Sequence, residues 1–270
     1  MTAITADVPA VRSNEYPPGA RARIYLLEAK SELLKLLRLP AFLVPTLGFP
    51  MMFYALFGLV LPVSRSEVQI SKYLLATYGA FGVIGIALFS LGVGVAMERG
   101  QGWLAVKRAS PMPISAYFFG KYAMTVAFSA VLVALLCAMG IIWGEVRMPA
   151  SQWAGLLAIL TLGGIPFCAA GIAIAYFVGP NSAPAVVNAI YLPMAFLSGL
   201  FIPAEMLPPF LQSFAQFLPP YHLARLALTV VGVEPISSLW IHLSALLGFA
   251  VVFTAIAVAG YRRDDGRTYG

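Results

Sequence analysis

Long apolar runs, each separated from the next by a short polar segment, dominate the sequence from residue 42 onward. Six of these runs approach the roughly 20 residues that a helix needs to cross the hydrocarbon core of a bilayer. They predict six membrane-spanning helices, at Phe42–Leu61, Tyr73–Ala96, Ala116–Trp143, Trp153–Val178, Ala185–Ile202 and Leu239–Tyr261. The pattern therefore indicates an all-α polytopic membrane protein.

The N-terminal part of the chain follows a different pattern. Residues 1–20 mix Pro, Ser, Asn and charged residues without a period, which is typical of a flexible tail. Over residues 21–39, Glu28, Glu32 and Lys35 fall on one helical face and leucines on the other. This spacing predicts an amphipathic helix that lies in the membrane interface. A helix packed on a soluble domain is the alternative, but the chain has too little polar sequence for such a domain.

The segment between the fifth and sixth predicted spans, Pro203–Pro235, combines several prolines with aromatic and aliphatic residues at helix-like spacing. It is too broken to span a bilayer and too apolar for a solvated loop. We expect short re-entrant helices here; an ordinary external loop is the alternative.

Composition and charge support a membrane domain and predict its orientation. Hydrophobic residues make up 60% of the chain and charged residues only 10%, whereas soluble domains carry about 25% charged residues. With a cytoplasmic N-terminus, thirteen Lys and Arg side chains fall inside and four outside, the bias that cytoplasmic segments show. We therefore expect residues 40–262 to form the membrane domain and residues 263–270 a second cytoplasmic tail.

The polar segment Met97–Pro113 interrupts the apolar runs between the second and third predicted spans. It places Trp103 and Leu104 near Glu98 and Lys107, and prolines then stop the helix before the next run begins. The segment is too short for a soluble domain, and its pattern predicts one amphipathic turn and helix. On the cytoplasmic side, this helix would offer a contact to a soluble partner.

Signatures of catalysis, nucleotide binding and metal binding are missing from the sequence. No Ser or Asp spacing supports a triad with His222 or His242, and no Cys/His spacing indicates a metal site. Gly120 and Lys121 are not part of a P-loop, since Tyr122 follows and the earlier glycine is missing. The central turns of the spans carry no Asp or Glu, which disfavours an ion-coupled carrier. We therefore expect a chain that is not an enzyme and binds no cofactor itself; if it transports a substrate, the energy comes from elsewhere.

The polar segment carries the most specific resemblance to a known family. Glu98-Arg99-Gly100, followed by Lys107-Arg108-Ala109-Ser110-Pro111-Met112-Pro113, is similar to the Glu-x-Gly…Leu-x-x-Ser-Pro-Met/Leu-Pro coupling helix of type-2 ABC exporter permeases. Gly199-Leu-Phe-Ile-Pro203 and Leu218-Pro-Pro-Tyr221 resemble the end of that family's fifth span and its external helices. The order of elements resembles the family over nearly the whole chain. One departure is Gln-Gly-Trp, which follows the motif glycine where the family usually has Thr-Leu-Glu.

The resemblance implies a half-transporter in a bacterial cytoplasmic membrane. It implies two ATP-binding subunits that hold the ATP and magnesium, a second permease copy and no nucleic acid. The residues that it assigns to coupling with the ATPase are Glu98, Arg99, Gly100, Trp103, Leu104, Lys107, Arg108, Pro111 and Pro113. Glu28, Glu32 and Lys35 are secondary candidates for this contact; a polar stripe that faces the lipid headgroups is the alternative.

The family's second and fifth spans line a central path, and both predicted spans carry suitable stripes. Candidate path residues, which recur at helical spacing, are Tyr78, Phe81, Phe89, Asn188, Tyr191 and Ser198. Packing of the aromatic rings and a bond from Asn188 to a neighbouring helix are the alternatives. Glu205 would guard the exit or cap a re-entrant helix.

The function that these observations favour is export of a hydrophobic or amphiphilic, drug-like compound. A lipid or polysaccharide exporter of the same family is the nearest alternative. A polytopic membrane enzyme and an ion-coupled carrier or channel are alternatives from other classes.

Overall fold

A computed structural model describes residues 17–60, 67–203, 206–235 and 239–264, and the regular structure in these ranges is helical throughout. The α-helices are α1 (Pro18–Leu37), α2 (Pro40–Phe53), α3 (Glu67–Ala87), α4 (Gly94–Gly100), α5 (Trp103–Ala109), α6 (Ile114–Ile142), α7 (Ala150–Gly163), α8 (Ile165–Phe177), α9 (Ala183–Leu197), α10 (Pro209–Ala215), α11 (Pro219–Val230) and α12 (Leu239–Arg263). Two π-helical segments, Tyr54–Val60 and Leu88–Val93, continue α2 and join α3 to α4.

Five stretches of the described helices are long and apolar enough to cross a bilayer. They are Pro40–Val60, Ile70–Gly100, Ile114–Ile142, Ala150–Phe177 and Leu239–Arg263. The protein is thus a multi-pass, all-α membrane protein, as its apolar runs predict.

The predicted fifth span, Ala185–Ile202, differs from the helix that forms there. Helix α9 has 15 residues and a length of about 22 Å, less than the roughly 30 Å of a bilayer core. The chain leaves the helical path at Gly199, whose φ of +78° lies in the left-handed region. Six full-length helical spans are therefore not confirmed.

Helix α1 turns its acidic side chains toward the protein and several leucines away from it. Glu28 and Glu32 pair with lysines of neighbouring helices, whereas Leu26, Leu27 and Leu37 are more than half exposed. Helix α1 packs closely on α6, and Gly120 of α6 makes this possible. Any side chain there would place a Cβ 3.2 Å from the α1 backbone. The amphipathic helix is present, and these two carboxylates do not face lipid headgroups.

The core centres on α3, the following π-helical segment and α8. Gly92 and Gly171 lie at the crossing of the latter two, where a Cβ on Gly171 would come within 3.0 Å of the Gly92 nitrogen. Helix α12 packs along α8 on the other side, and α11 packs on α3 and α12. These contacts place α4 and α5 at one end of the molecule, the α5 end, and α10 and α11 at the opposite end, the α10 end.

The predicted re-entrant segment contains two helices, α10 and α11. Helix α10 exposes Phe210 and Phe214, and Phe217 in the turn after it is exposed too, while most of α11 is buried against its neighbours. Short helices are therefore present where the proline-rich pattern predicts them, and their depth in the bilayer stays a prediction.

Candidate functional site

The polar segment folds as a helix–turn–helix at the α5 end. The long helical rod from Ile70 ends at Gly100, and Gly102, at φ +78°, reverses the chain into α5. A side chain with a Cβ is strained at this φ, so glycine suits the turn. Pro113 then stands at the N-cap position of α6, with Pro111 exposed two residues before it.

The two faces of α5 have different environments. Leu104 is buried at 3% exposure, whereas Trp103 and Val106 are exposed at 56% and 60%. The side chain of Arg108 lies outside the described part of the chain. The exposed face presents large apolar groups at the end of the molecule, where a partner can contact them. Contact of these residues with an ATP-binding subunit stays a prediction.

The acidic side chains assigned to ATPase contact by the resemblance bind lysines of the same chain, and their contact with an ATP-binding subunit stays a prediction. We call this group the charged network; its members are Glu28, Glu32, Lys35, Glu98, Lys107 and Lys121. The Lys121 Nζ donates to a carboxylate oxygen of Glu32 and to one of Glu98, each at 2.7 Å. Lys35 pairs with Glu98, and Lys107 pairs with Glu28 and lies 3.7 Å from Glu32.

The ring of Tyr117 lies at the centre of the charged network. Its hydroxyl donates to Glu98 at 2.7 Å, and the Nζ atoms of Lys107 and Lys121 lie 4.6 and 5.4 Å from its centroid. These distances fit a cation–π contact. Three positive and three negative groups are therefore balanced around one aromatic ring.

Arg99 and Gly100 join the polar segment to the end of α8. The Arg99 guanidinium donates to the carbonyls of Tyr176 at 2.7 Å and Val178 at 3.0 Å. Tyr176 lies in the last turn of α8 and Val178 is its C-cap residue, and carbonyls at a helix end lack intrahelical donors. A Cβ on Gly100 would lie 2.5 Å from Pro180. The Glu-Arg-Gly motif is thus a junction between α1, α6 and the loop after α8.

A cavity of about 870 Å³ lies between α2, α3 and α9. Of the six candidate path residues, five line it: Tyr78, Phe81, Phe89, Asn188 and Tyr191. Ser198 does not; its Oγ is buried and finds no hydrogen-bond partner among the described residues. Among the described residues that line the cavity, none is charged and Asn188 is the one with a carboxamide. Such a cavity suits an uncharged or amphiphilic molecule.

An aromatic cluster closes the cavity toward the α10 end. Phe201 stacks on Phe196 with centroids 4.5 Å apart and meets Phe81 edge-on at 4.8 Å. Phe53 of α2 meets Phe201 at 5.6 Å. The reversal at Gly199 brings Phe201 back over the cavity, and Tyr73 donates to the Gly199 carbonyl at 2.9 Å.

Two histidines meet at the α10 end. Glu205, the candidate residue at the exit, lies outside the described residues. The Nδ1 atoms of His222 and His242 are 2.9 Å apart, and the His222 Nε2 lies 2.9 Å from the Gln216 carbonyl oxygen. Burial lowers the pKa of His222, and the Gln216 bond partly offsets this effect. In the described ranges, no group of three or more His, Cys, Asp or Glu side chains is placed to hold a metal ion.

Sequence reasoning missed the roles of Lys121, Tyr117 and Phe201. In the sequence, Lys121 is one of the thirteen inside charges and is not part of a P-loop. Its position in an apolar run is itself a signal, because a buried charge needs a partner. Phe49, Phe53 and Phe57 recur every four residues, and this spacing indicates the third helix of the cavity wall.

Comparison with known proteins identifies the family of this chain. The sequence profile of the ABC-2 type transporter family matches residues 25–231, more than three quarters of the chain. The chain belongs to the ABC-2 type transporter family. It is 25% identical over 237 residues to "Putative transport permease YvfS" of Bacillus subtilis (strain 168), a match that covers 87% of this chain and 96% of that protein. This ABC-2 family protein is therefore a multi-pass membrane protein and a transport permease.

Proposed function

We propose that this ABC-2 family protein is the membrane subunit of an ATP-driven exporter for a hydrophobic or amphiphilic, drug-like compound. The observation that carries the proposal is the cavity, whose described lining residues combine aromatic and aliphatic side chains with one carboxamide and carry no charge. The same long helix that carries Tyr78, Phe81 and Phe89 carries Glu98 in its last turn at the α5 end. One helical rod thus joins the cavity to the polar segment.

The orientation in this proposal follows from the distribution of charge. The α5 end and both termini face the cytoplasm of a bacterial cell, because thirteen of the seventeen Lys and Arg residues then lie inside. Helix α9 and the turn at 198–203 together form the fifth of six membrane crossings. In this crossing Phe201 packs over the end of the short helix at the outer leaflet.

The assembly in this proposal has two permeases and two ATP-binding subunits. The cavity is open on the side of the protomer formed by α2 and α9, where Phe49, Leu192 and Phe196 are exposed. A second copy of the chain on this side closes a shared path. ATP and magnesium bind to the soluble subunits, which contact Trp103 and Val106; Glu28, Glu32, Lys35 and Glu98 hold that contact surface from within.

A lipid exporter of the same family is the second candidate, since the exposed phenylalanines beside the cavity also fit an acyl chain. A polysaccharide is disfavoured, because a sugar polymer needs many hydrogen-bonding groups and the lining offers few.

The test is reconstitution of the full chain with the ATP-binding subunit that purifies with it. Vesicles loaded with Nile red, an uncharged aromatic dye, report transport by loss of fluorescence when ATP is added. Calcein, a polyanion, is the control probe, because an uncharged cavity does not suit it. The proposal expects ATP-dependent movement of Nile red and none of calcein. Movement of Nile red without ATP, or purification with no ATP-binding subunit, contradicts it.

A further inference from the structure

Lys121 lies at the meeting point of α1, α4 and α6, and no sequence motif assigns it a role. We infer that Lys121 is a positioning residue for ATP coupling: it fixes the α5 end of the long helical rod against α1 and α6, so that movement of α5 reaches the cavity. This inference rests on the proposed function.

The contacts of Lys121 connect the ends of separate helices. Its Nζ bridges Glu32 of α1 and Glu98 of α4, each at 2.7 Å, and its side chain is only 3% exposed. Because a buried ammonium needs partners in fixed directions, the two carboxylates hold it and are held by it. Removing Lys121 releases α6 from this contact and leaves Lys35–Glu98 as the ion pair that joins α1 to α4.

A topological role alone does not explain these contacts. A lysine that serves the positive-inside rule carries its charge to the headgroups or the cytoplasm. The Lys121 charge is enclosed by protein and lies over the Tyr117 ring. Lys30 of α1, by contrast, is exposed and represents the ordinary case.

The direction of coupling follows from the continuity of the rod. Phe89 lines the cavity, and Glu98 lies nine residues further along the same continuous helix, about 13 Å at 1.5 Å per residue. Lys107 of α5 joins the charged network through Glu28 and Glu32. Force on the exposed face of α5 therefore passes through the network to the rod.

The experiment compares Lys121→Met with Lys30→Met in the reconstituted complex of permease and ATP-binding subunit. We expect Lys121→Met to lower Nile red movement per ATP hydrolysed about tenfold, within the usual range of coupling between sites. ATP hydrolysis without Nile red continues. Lys30→Met keeps the wild-type ratio, and Lys121→Arg, which keeps the charge, restores most of it.

A double variant separates positioning from folding. Lys121→Met leaves three carboxylates of the network with two lysines, whereas Glu98→Gln with Lys121→Met removes one charge of each sign. We expect the double variant to regain the thermal stability of the wild type but not its transport per ATP. Recovery of both, or an unchanged ratio in Lys121→Met, overturns the inference.

Hydrogen exchange provides a readout that does not depend on transport. In the purified chain alone, Lys121→Met should speed amide exchange in 103–109 and in α1, and Lys30→Met should not. If the wild type shows no ATP-driven transport but this exchange difference is seen, the proposed function fails and the positioning contact stands. Equal exchange in both variants rejects the positioning contact.

Discussion

At the scale of single residues, the shape of the cavity depends on how one tyrosine is held. The Tyr191 hydroxyl donates to the Phe81 carbonyl at 2.6 Å, and the two rings stack with centroids 4.9 Å apart. Gly85 makes room for this bond, because a Cβ there would lie 2.9 Å from the Tyr191 oxygen. The position of the Tyr191 ring in the cavity wall therefore depends on Gly85, which lies one helical turn after Phe81.

Gly85→Ala should therefore weaken the binding of Nile red. The added methyl group displaces the Tyr191 hydroxyl, and loss of one hydrogen bond costs about 1 kcal/mol, which corresponds to roughly a fivefold higher Kd. Fluorescence titration of the purified protein measures this change. Gly94→Ala on the same helical rod is the control, since its Cβ meets nothing within 4 Å. An unchanged Kd for Gly85→Ala would show that this part of the cavity wall does not bind the dye.

The two histidines at the α10 end predict a dependence of stability on pH. Two Nδ1 atoms 2.9 Å apart hold one proton between them, and Arg225, Tyr221 and Glu234 are the other titratable groups nearby. Because burial lowers the pKa of His222 in the folded state, the unfolded chain binds more protons. Stability is present above the ordinary histidine pKa of about 6.5 and decreases as the pH falls below it.

Thermal unfolding in detergent at several pH values tests this dependence. The wild type should lose thermal stability between neutral and mildly acidic pH, and His222→Gln, which cannot take up a proton, should lose less. Parallel curves for the two proteins would show that the pair does not titrate in this range.

Residue chemistry shows where sequence reasoning succeeds and where it stops. The spacing of Tyr78, Phe81 and Phe89 places them on one helical face, and all three line the cavity. The same reasoning cannot predict the partners of Glu98, because those lie on α1 and α6, far away in sequence. A charged motif at a helix end has the same sequence pattern whether its side chains contact a partner protein or other helices of the same chain.

At the scale of elements, the polar segment both exposes a surface and fixes it. Helix α5 presents Trp103 outward, while Arg99, four residues earlier, caps α8. Pattern analysis predicts the helices of this region and the amphipathic α1. It does not predict that the acidic residues of α1 turn inward, since periodicity shows which residues share a face and not what that face meets.

Arg99→Met should free the last turn of α8. It removes two charge-assisted hydrogen bonds from a guanidinium that is 5% exposed, at a cost of about 3 kcal/mol. We expect faster amide exchange over 176–182 and a lower midpoint of thermal unfolding. Arg23→Met, an exposed position on α1, is the matched control. Equal protection of 176–182 in both variants would show that α8 ends without help from Arg99.

Helix α9 shows a second limit of sequence reasoning. The apolar run predicts a span to Ile202, but the helix ends at Leu197, and Phe201 turns back onto the cavity. An uninterrupted apolar run shows that a segment is buried in membrane or protein and does not show where its helix stops. Here Gly199 in the left-handed region marks the end.

At the scale of the whole molecule, the cavity and the exposed face of α5 lie on a connected set of helices. The rod from Ile70 to Gly100 carries the cavity wall, and the charged network ties its end to α1, α5 and α6. This arrangement suits a transporter whose energy source is a separate soluble subunit. The family, the fold class and five of the residues that line the cavity are predictable from sequence; the internal partners of the polar segment are not.

The measurement that tests this account most directly compares Trp103→Ala with Trp143→Ala. The two tryptophans are exposed at 56% and 66%, and the 29-residue helix α6 lies between them, so they stand about 40 Å apart at opposite ends of the molecule. ATP-driven loss of Nile red fluorescence is followed in vesicles that hold each variant with the ATP-binding subunit. The account predicts about a tenfold loss for Trp103→Ala, the scale expected for a buried tryptophan at an interface, and wild-type transport for Trp143→Ala. Equal transport by both variants would contradict it.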